Sequence, residues 1–402
     1  MSVYIIRSQI SLARSLNVQS QKFTPESRNP QIREVVNFWR EEPAYQQIKD
    51  WLQDAENKNS EVIRYPDYSG ITGASVVEMS DKEAARIRKD LPDVSILRDR
   101  LIELIHPLQS NTDAQDEFST DELWHLDAIA LNIARQNGFG RTGKNVTIAV
   151  LDTGIDSNHR ELQGQVTKSY SLNDRTKEIQ LTPSQDTNGH GTHVAGLICG
   201  KHVGVAPETK LIDGLLLPKG ISNLSNFVIW LNWLALQQDV NIVNISAGLR
   251  MYADEMSDVI DTLLAVGILP VCAVGNDGRN NTRTPGNCRN SISVGATNFN
   301  NQVASFSGSG KMSVNNLCYD VPNLVAPGEG VYSSVPGDKY KVESGTSMAT
   351  PIVSGVAALI LEKYNKNISV LNLIEALLTS CKDLGVDKER QGRGLIQVTA
   401  AL

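Results

Sequence analysis

The chain reads as a doubly wound α/β domain built on a parallel sheet and preceded by a small α+β domain. Three observations carry this. From Val146 onward, apolar β-branched runs of strand length alternate with helical stretches; residues 1 to about 105 show a more mixed order of elements; and a polar, acidic stretch separates the two. With 402 residues and 41% hydrophobic content, the chain can bury one large core and one smaller one. The expected division is 1–105, an exposed connection over 106–120, and 121–402.

The first domain opens with a strand at Val3–Arg7. A helical stretch from Gln31 to Asp54 follows, then strands at Glu61–Tyr65 and Gly73–Met79, a helix over Ser80–Asp90 and a last strand at Val94–Arg98. Ser80-Asp81-Lys82-Glu83 signals the start of the second helix, with the glutamate three residues after the serine as in a capping box. Gln109–Phe118 has the composition of an exposed connection, where proteases cut. In the second domain, strands at Val146–Leu151, Leu211–Leu216, Val240–Ser246, Leu269–Val274 and Ser291–Val294 alternate with helices. These fall at His190–Cys199, Leu224–Gln237, Asp254–Val266, Thr350–Tyr364 and Val370–Thr379. The apolar stripe Ile352–Leu361 suits a buried core helix and is too short to cross a membrane.

Composition narrows the function. A net charge of −7 leaves no basic excess to neutralise phosphates, which argues against nucleic acid as a partner. No apolar run reaches the length of a membrane span, and Met1–Gln9 turns polar too soon for a signal peptide, so a cytoplasmic location is expected. The cysteines, Cys199, Cys272, Cys288, Cys318 and Cys381, are odd in number and widely spaced, which disfavours a disulfide framework.

Chemistry concentrates in three segments. Ser344-Gly345-Thr346-Ser347-Met348-Ala349-Thr350-Pro351 places a serine between small residues where a helix begins, so an oxyanion beside Ser347 would meet unpaired N–H groups and the positive end of the helix dipole. Pro351 suits a first helical turn, which tolerates a missing N–H. Val146–Leu151 delivers Asp152 at the carboxyl end of a buried strand, the edge where open α/β sheets hold ligands. Asn188-Gly189-His190-Gly191-Thr192-His193 sets a histidine at the start of an apolar helix, where it can take a proton near neutral pH.

Asp, His and Ser in this order and with these flanks resemble the subtilisin-like serine proteases, or subtilases. The likeness runs from about Trp124 to Leu402, through Asn244–Gly248, Ala273–Gly278, Val303–Ser307 and Val325–Gly328. It implies that Ser347 attacks the peptide carbonyl, that His190 relays the proton, and that Asp152 holds the imidazole tautomer. The Asn276 amide would complete the oxyanion hole. Ser246-Ala247-Gly248 would pair with substrate backbone as an extended edge, with Asp277 and Arg283 at the base of the primary pocket and Leu224 and Phe227 lining an apolar upstream subsite. For the pocket two readings stand: Arg283 clamps an acidic substrate side chain, or Asp277 pairs with Arg283 and silences it or favours a basic residue. Thr284-Pro285 is a candidate cis bond.

The resemblance carries further expectations. The first domain is similar to the subtilase propeptide, so it is expected to act as this chain's own inhibitor, with autoprocessing between His106 and Thr120; the other reading is a permanent link to a regulatory domain. The missing export signal resembles the intracellular branch. The chain passes from Leu197–His202 into Val203–Pro207 without the loop that helps bind calcium in many subtilases, and Glu161 alone is no cage of oxygens. No cofactor or catalytic metal is expected, with weak structural calcium left open. By position Asp156 is a turn-stabilising carboxylate, His193 stacks behind His190 on the same helix, and His106, His125, His159 and His202 have no metal-ligand spacing. Two function classes remain: a zymogen endopeptidase acting on an intracellular protein or peptide precursor, and a silent binding protein whose first domain fills the cleft. The complete set of Asp152, His190, Asn276 and Ser347 favours the first.

Overall fold

A computed structural model of the chain describes residues 1–12, 20–57, 61–67, 70–108, 114–314 and 316–401. The N-terminal region contains β1 (Ser2–Ser8), α1 (Pro25–Glu41), α2 (Pro43–Asn57), β2 (Ile63–Arg64), β3 (Ala74–Met79), α3 (Asp81–Asp90) and β4 (Val94–Arg98). Its strands form an antiparallel sheet in the order β2-β3-β1-β4. The helix expected over Gln31–Asp54 is two helices. Pro43 pushes the residue before it out of the α region, and Glu42 sits at φ −76°, ψ 117° with its carboxylate accepting from the N–H groups of Ala44 (3.1 Å) and Tyr45 (2.6 Å). At α3, Ser80 Oγ accepts from Glu83 N (3.2 Å), the cap that the sequence signals.

Next comes β5 (Leu101–Leu104), a strand no local pattern predicts, and after it two short helices, α4 (Trp124–Ala128) and α5 (Leu131–Gln136). The connection is not a free loop throughout. Gln109–Asp113 lie outside the described residues, but Gln115 pairs with Tyr340 in an antiparallel bridge, and Phe118 packs on the rings of Tyr332, Tyr340 and His202.

The remainder holds β6 (Thr147–Asp152), β7 (Val166–Leu172), β8 (Ile179–Leu181), α6 (His190–Cys199), β9 (Lys210–Leu215), β10 (Ile221–Asn223), α7 (Leu224–Ala235), β11 (Ile242–Ile245), β12 (Ala247–Arg250) and α8 (Asp254–Ala265). After these come β13 (Leu269–Ala273), β14 (Arg283–Thr284), β15 (Ile292–Thr297), β16 (Gly310–Val314), β17 (Leu317–Val321), β18 (Leu324–Pro327), β19 (Val331–Val335), β20 (Lys339–Glu343), α9 (Thr346–Lys363) and α10 (Val370–Thr379). The main sheet runs β18-β15-β13-β11-β6-β9-β7-β8, parallel except for the β7–β8 pair. All five strands expected from Val146 onward lie in it. Crossovers leave β6 to either side, so the carboxyl end of β6 is a topological switch point. Helix α6 packs along α9 and α7 along α8, and the small sheet docks on α7 through β1 and β3. No helix among the described residues is long and apolar enough to cross a membrane.

Helix α9 starts at Thr346, one turn before the expected Thr350, which puts Pro351 in the second turn rather than the first. Pro351 cannot donate to the Ser347 carbonyl, and that oxygen accepts from Ser246 Oγ instead (3.4 Å).

One buried carboxyl gives the fold a pH signature. Asp213 on β9 is 2% exposed, Oδ1 has no hydrogen-bond partner among the described residues, and burial, reinforced by Asp186, raises its pKa to about 7. The folded state binds this proton more tightly than the unfolded chain, so the stabilisation is whole below about pH 4 and lost as pH rises to about 7. Asp213→Asn is expected to gain stability relative to the unsubstituted protein on going from pH 4 to pH 8, by on the order of 1–3 kcal/mol in thermal melts. A difference that does not vary with pH would exclude the carboxyl as its source.

Candidate active site

Asp152 ends β6, buried, with Oδ1 accepting from Thr153 N (2.8 Å). The turn after it presses against the first turn of α6 so closely that a Cβ on Gly191 would stand 2.0 Å from the Gly154 carbonyl oxygen, a spacing only glycine allows. Asp186, which sequence reasoning passed over, locks the two together. Its carboxylate accepts from Thr153 Oγ1, from the N–H groups of Asn188, Gly189 and Thr192, and from Thr192 Oγ1. An acid four residues ahead of the histidine was the available signal.

This framing brings His190 Nδ1 to 2.8 Å from Asp152 Oδ1. Burial alone would push the imidazole pKa down; the Asp152 carboxylate, with Glu343 and Asp186 farther off, outweighs burial and holds it above its ordinary value. Ser347, in the first turn of α9, is fully buried. Its Oγ donates to the Ile105 carbonyl at 2.9 Å, and His190 Nε2 has no hydrogen-bond partner among the described residues. Asn276 Oδ1 accepts from Thr346 N and Oγ1 (2.9 Å each), which fixes the amide so that Nδ2 points into the cleft, where it donates to the His106 carbonyl (3.0 Å).

The cleft is therefore occupied by the chain itself. Strand β5 lies antiparallel between β10 and β12, with Ile102 opposite Ser222 and Leu104 opposite Ala247. Flanking bonds run from Leu224 N to Arg100 O (2.8 Å), from Ile105 N to Ser246 O (3.1 Å) and from Leu108 N to Ser344 O (2.7 Å). Ile102, Leu104 and Ile105 are buried, whereas Leu101 and Glu103 face solvent. The Ser246–Gly248 edge thus pairs as an extended strand. Leu224 and Phe227 are buried on α7.

Arg283 does not stand free in the pocket. Its Nε donates to Asp277 Oδ2 (2.7 Å) and Nη2 to Oδ1 (3.3 Å), while Arg250 lies 3.5 Å from the same carboxylate. The bond to Arg283 holds Asp277 below the usual carboxylate range. The Thr284-Pro285 bond is cis, as is Val321-Pro322.

Other candidates are engaged elsewhere. Asp156 accepts from Asn158 N and Gly337 N, and His193 is buried with Nε2 on the Lys341 carbonyl (3.1 Å). Glu161 accepts from His202 N (2.7 Å), His202 Nδ1 (2.9 Å), Tyr340 OH (2.9 Å) and Val203 N (3.3 Å). Burial would raise its pKa; these donors outweigh that and hold it low. With its oxygens so committed, Glu161 is a brace between the end of α6 and β20.

A parallel α/β sheet with Asp152, His190 and Ser347 gathered at its carboxyl edge has the architecture of a serine hydrolase. Residues 143–394 match the model of the subtilase family, and the chain belongs to that family as a subtilisin-like serine endopeptidase. It is 37% identical over 272 residues to an intracellular serine protease of Paenibacillus polymyxa, covering 64% of this chain and 80% of that one. Against the major intracellular serine protease of Bacillus subtilis (strain 168) it is 34% identical, covering 65% and 83%. Against subtilisin E of the same organism it is 35% identical, covering 65% and 67%.

The brace is testable. Glu161→Ala leaves the buried donors of Val203 and Tyr340, and those of the half-exposed His202, without their acceptor, and a loss of roughly 2–4 kcal/mol is expected in denaturant unfolding. A loss well under about 1 kcal/mol would show that water replaces the carboxylate there.

Proposed function

We propose that this endopeptidase is made as a self-inhibited zymogen, divided at 1–105, 106–120 and 121–402. Ser347 is the nucleophile, His190 the base that takes its proton and returns it to the leaving amine, Asp152 the group that orients the imidazole and stabilises its charge, and Asn276 the oxyanion donor. Because His190 must be neutral to accept a proton and its pKa is held up, activity falls as pH drops below neutrality.

The observation that carries the inhibitory part is the register of β5. Acyl transfer needs one carbonyl to face the nucleophile with its carbon and the oxyanion donor with its oxygen. Here Ser347 Oγ bonds to the Ile105 oxygen and Asn276 to the oxygen of His106, so two successive carbonyls divide the machinery between them. The bond after His106 leads into Pro107, whose fixed ring restricts how the chain can realign. The N-terminal region thus fills the cleft in a register that spares it.

The substrates are proteins or peptides bound as an added strand, with apolar side chains favoured where Ile102, Leu104 and Ile105 are buried. The relatives named as intracellular serine proteases support action inside the cell, on a protein or peptide precursor. The stalled register also favours a second reading, a lastingly autoinhibited protein, and one experiment separates the two. Intact mass is followed over time for the unsubstituted protein, Ser347→Ala and Pro107→Ala. The zymogen reading expects loss of an N-terminal piece ending between His106 and Thr120, at least about tenfold faster for Pro107→Ala, and full-length Ser347→Ala throughout. If all three stay whole, self-processing is wrong.

Specificity has its own test. With Arg283 held by Asp277, acidic side chains before the scissile bond gain little from the guanidinium. Asp277→Asn frees it, and kcat/KM for peptides acidic at that position should rise about tenfold relative to apolar ones. An unchanged ratio would place Arg283 outside the pocket's recognition surface.

A further inference from the structure

The N-terminal region also grips the molecule far from the cleft. Residues 21–28 cross to the amino-terminal edge of the main sheet, opposite the edge that carries Asp152. Phe23 is 1% exposed there, and its carbonyl accepts from the side chain of Asn241, just ahead of β11 (3.4 Å). Arg28, also 1% exposed, donates from Nη2 to the carbonyls of Val240 and Gly267 (3.1 Å to Gly267), which precede β11 and β13. Lys22 forms an antiparallel bridge with Ser369, the N-cap of α10; Val370 N donates to Gln21 O (2.8 Å), and Lys22 Nζ to Asn367 Oδ1 (3.1 Å).

A segment that only imitates substrate has no use for these contacts. Burying an arginine against two neutral carbonyls, with Nε and Nη1 unpartnered among the described residues, is costly unless the contact is needed in that place. While the chain is intact, its own continuity keeps the two parts at high effective concentration. Once the connection is cut, only non-covalent contacts remain, and the pairing of β5, the docking of the small sheet on α7 and this grip at the opposite edge of the main sheet must all open before the fragment leaves.

We propose that Gln21–Arg28 is a further anchorage of the N-terminal region, on the sheet edge opposite the cleft, that slows its departure after the connection is severed. Its regulatory meaning rests on the reading of that region as the inhibitor; retention itself does not. The experiment uses the full chain carrying Ser347→Ala, with a site-specific protease sequence placed between Ser110 and Asn111. After cutting, the fragment is followed by gel filtration over time, in this protein and with Phe23→Ala or Arg28→Ala added. The expected result is a fragment that stays bound in the first protein and dissociates at least tenfold faster in the other two. Should those fail to fold, Lys22→Glu, at an exposed position, is expected to speed dissociation several-fold. Equal rates, or immediate loss of the fragment from the otherwise unsubstituted chain, would overturn the anchorage. Peptidase assays of the cut protein with Ser347 intact decide the other question: free turnover with the fragment still bound would refute inhibition and leave the anchorage standing.

Discussion

A peptide bond breaks only when its carbonyl carbon meets the nucleophile while its oxygen meets the oxyanion donor, and the carboxyl edge of this sheet is organised around that convergence. Four chain segments supply the groups: the end of β6, the first turns of α6 and α9, and the loop that carries Asn276. Close backbone approach and side chains that clasp backbone together hold them in place. The close approach of Gly191 to Gly154 couples Asp152 to His190, and Thr346 orients Asn276 from the residue next to Ser347. The missing N–H of Pro351 leaves the Ser347 carbonyl for Ser246 Oγ, which ties the helix of the proposed nucleophile to the strand edge that receives β5.

The occupied cleft carries unmet polar groups. His190 Nε2, Asp152 Oδ2, Asn244 Nδ2 and Glu343 Oε2 are buried without a hydrogen-bond partner among the described residues, and each such group costs free energy in a dry interior. Because Ser347 is turned toward Ile105, the imidazole loses the hydroxyl it would otherwise face. Occupation of the cleft by β5 is therefore held against a local penalty, offset by the strand pairing of β5 and by the burial of Ile102, Leu104 and Ile105. Departure of β5 would lift the penalty and return the hydroxyl to the base in one motion.

Much of this was legible in the chain. The β-branched run ending at Asp152, the glycines around His190 and the small residues around Ser347 are local patterns, and the parallel character of the sheet follows from the alternation of strands and helices, though its strand order does not. The capping serine at Ser80 was equally local. What escaped notice depends on partners distant in sequence. Leu101–Leu104 is too short to declare itself a strand, and becomes one by pairing with residues more than a hundred positions away. Glu161 shows four donors only once β20 folds over it. The Asp277–Arg283 pair stood among the alternatives, since six residues of separation permit contact without requiring it. Pro43 was legible and passed over: a proline in a helical stretch marks a break, and Glu42 completes it.

On the proposed zymogen reading, affinity and reactivity are separable in this cleft, and the separation would let a peptide fill the protease without being consumed. Main-chain pairing along Arg100–Ile105 is indifferent to side-chain identity and supplies binding by strand addition. The next two residues differ: the Ile105 carbonyl accepts from Ser347 and the His106 carbonyl from Asn276, the two groups proposed to act on a single carbonyl. A weaker strand would be displaced by substrate, and a strand of equal strength in the productive register would be cut. In the proposed inhibitor, holding the pairing constant and shifting only Ile105–Pro107 would avoid both outcomes. By the same logic a true substrate need not bind more tightly than β5; it need only bring a single carbonyl to Ser347 and Asn276 together.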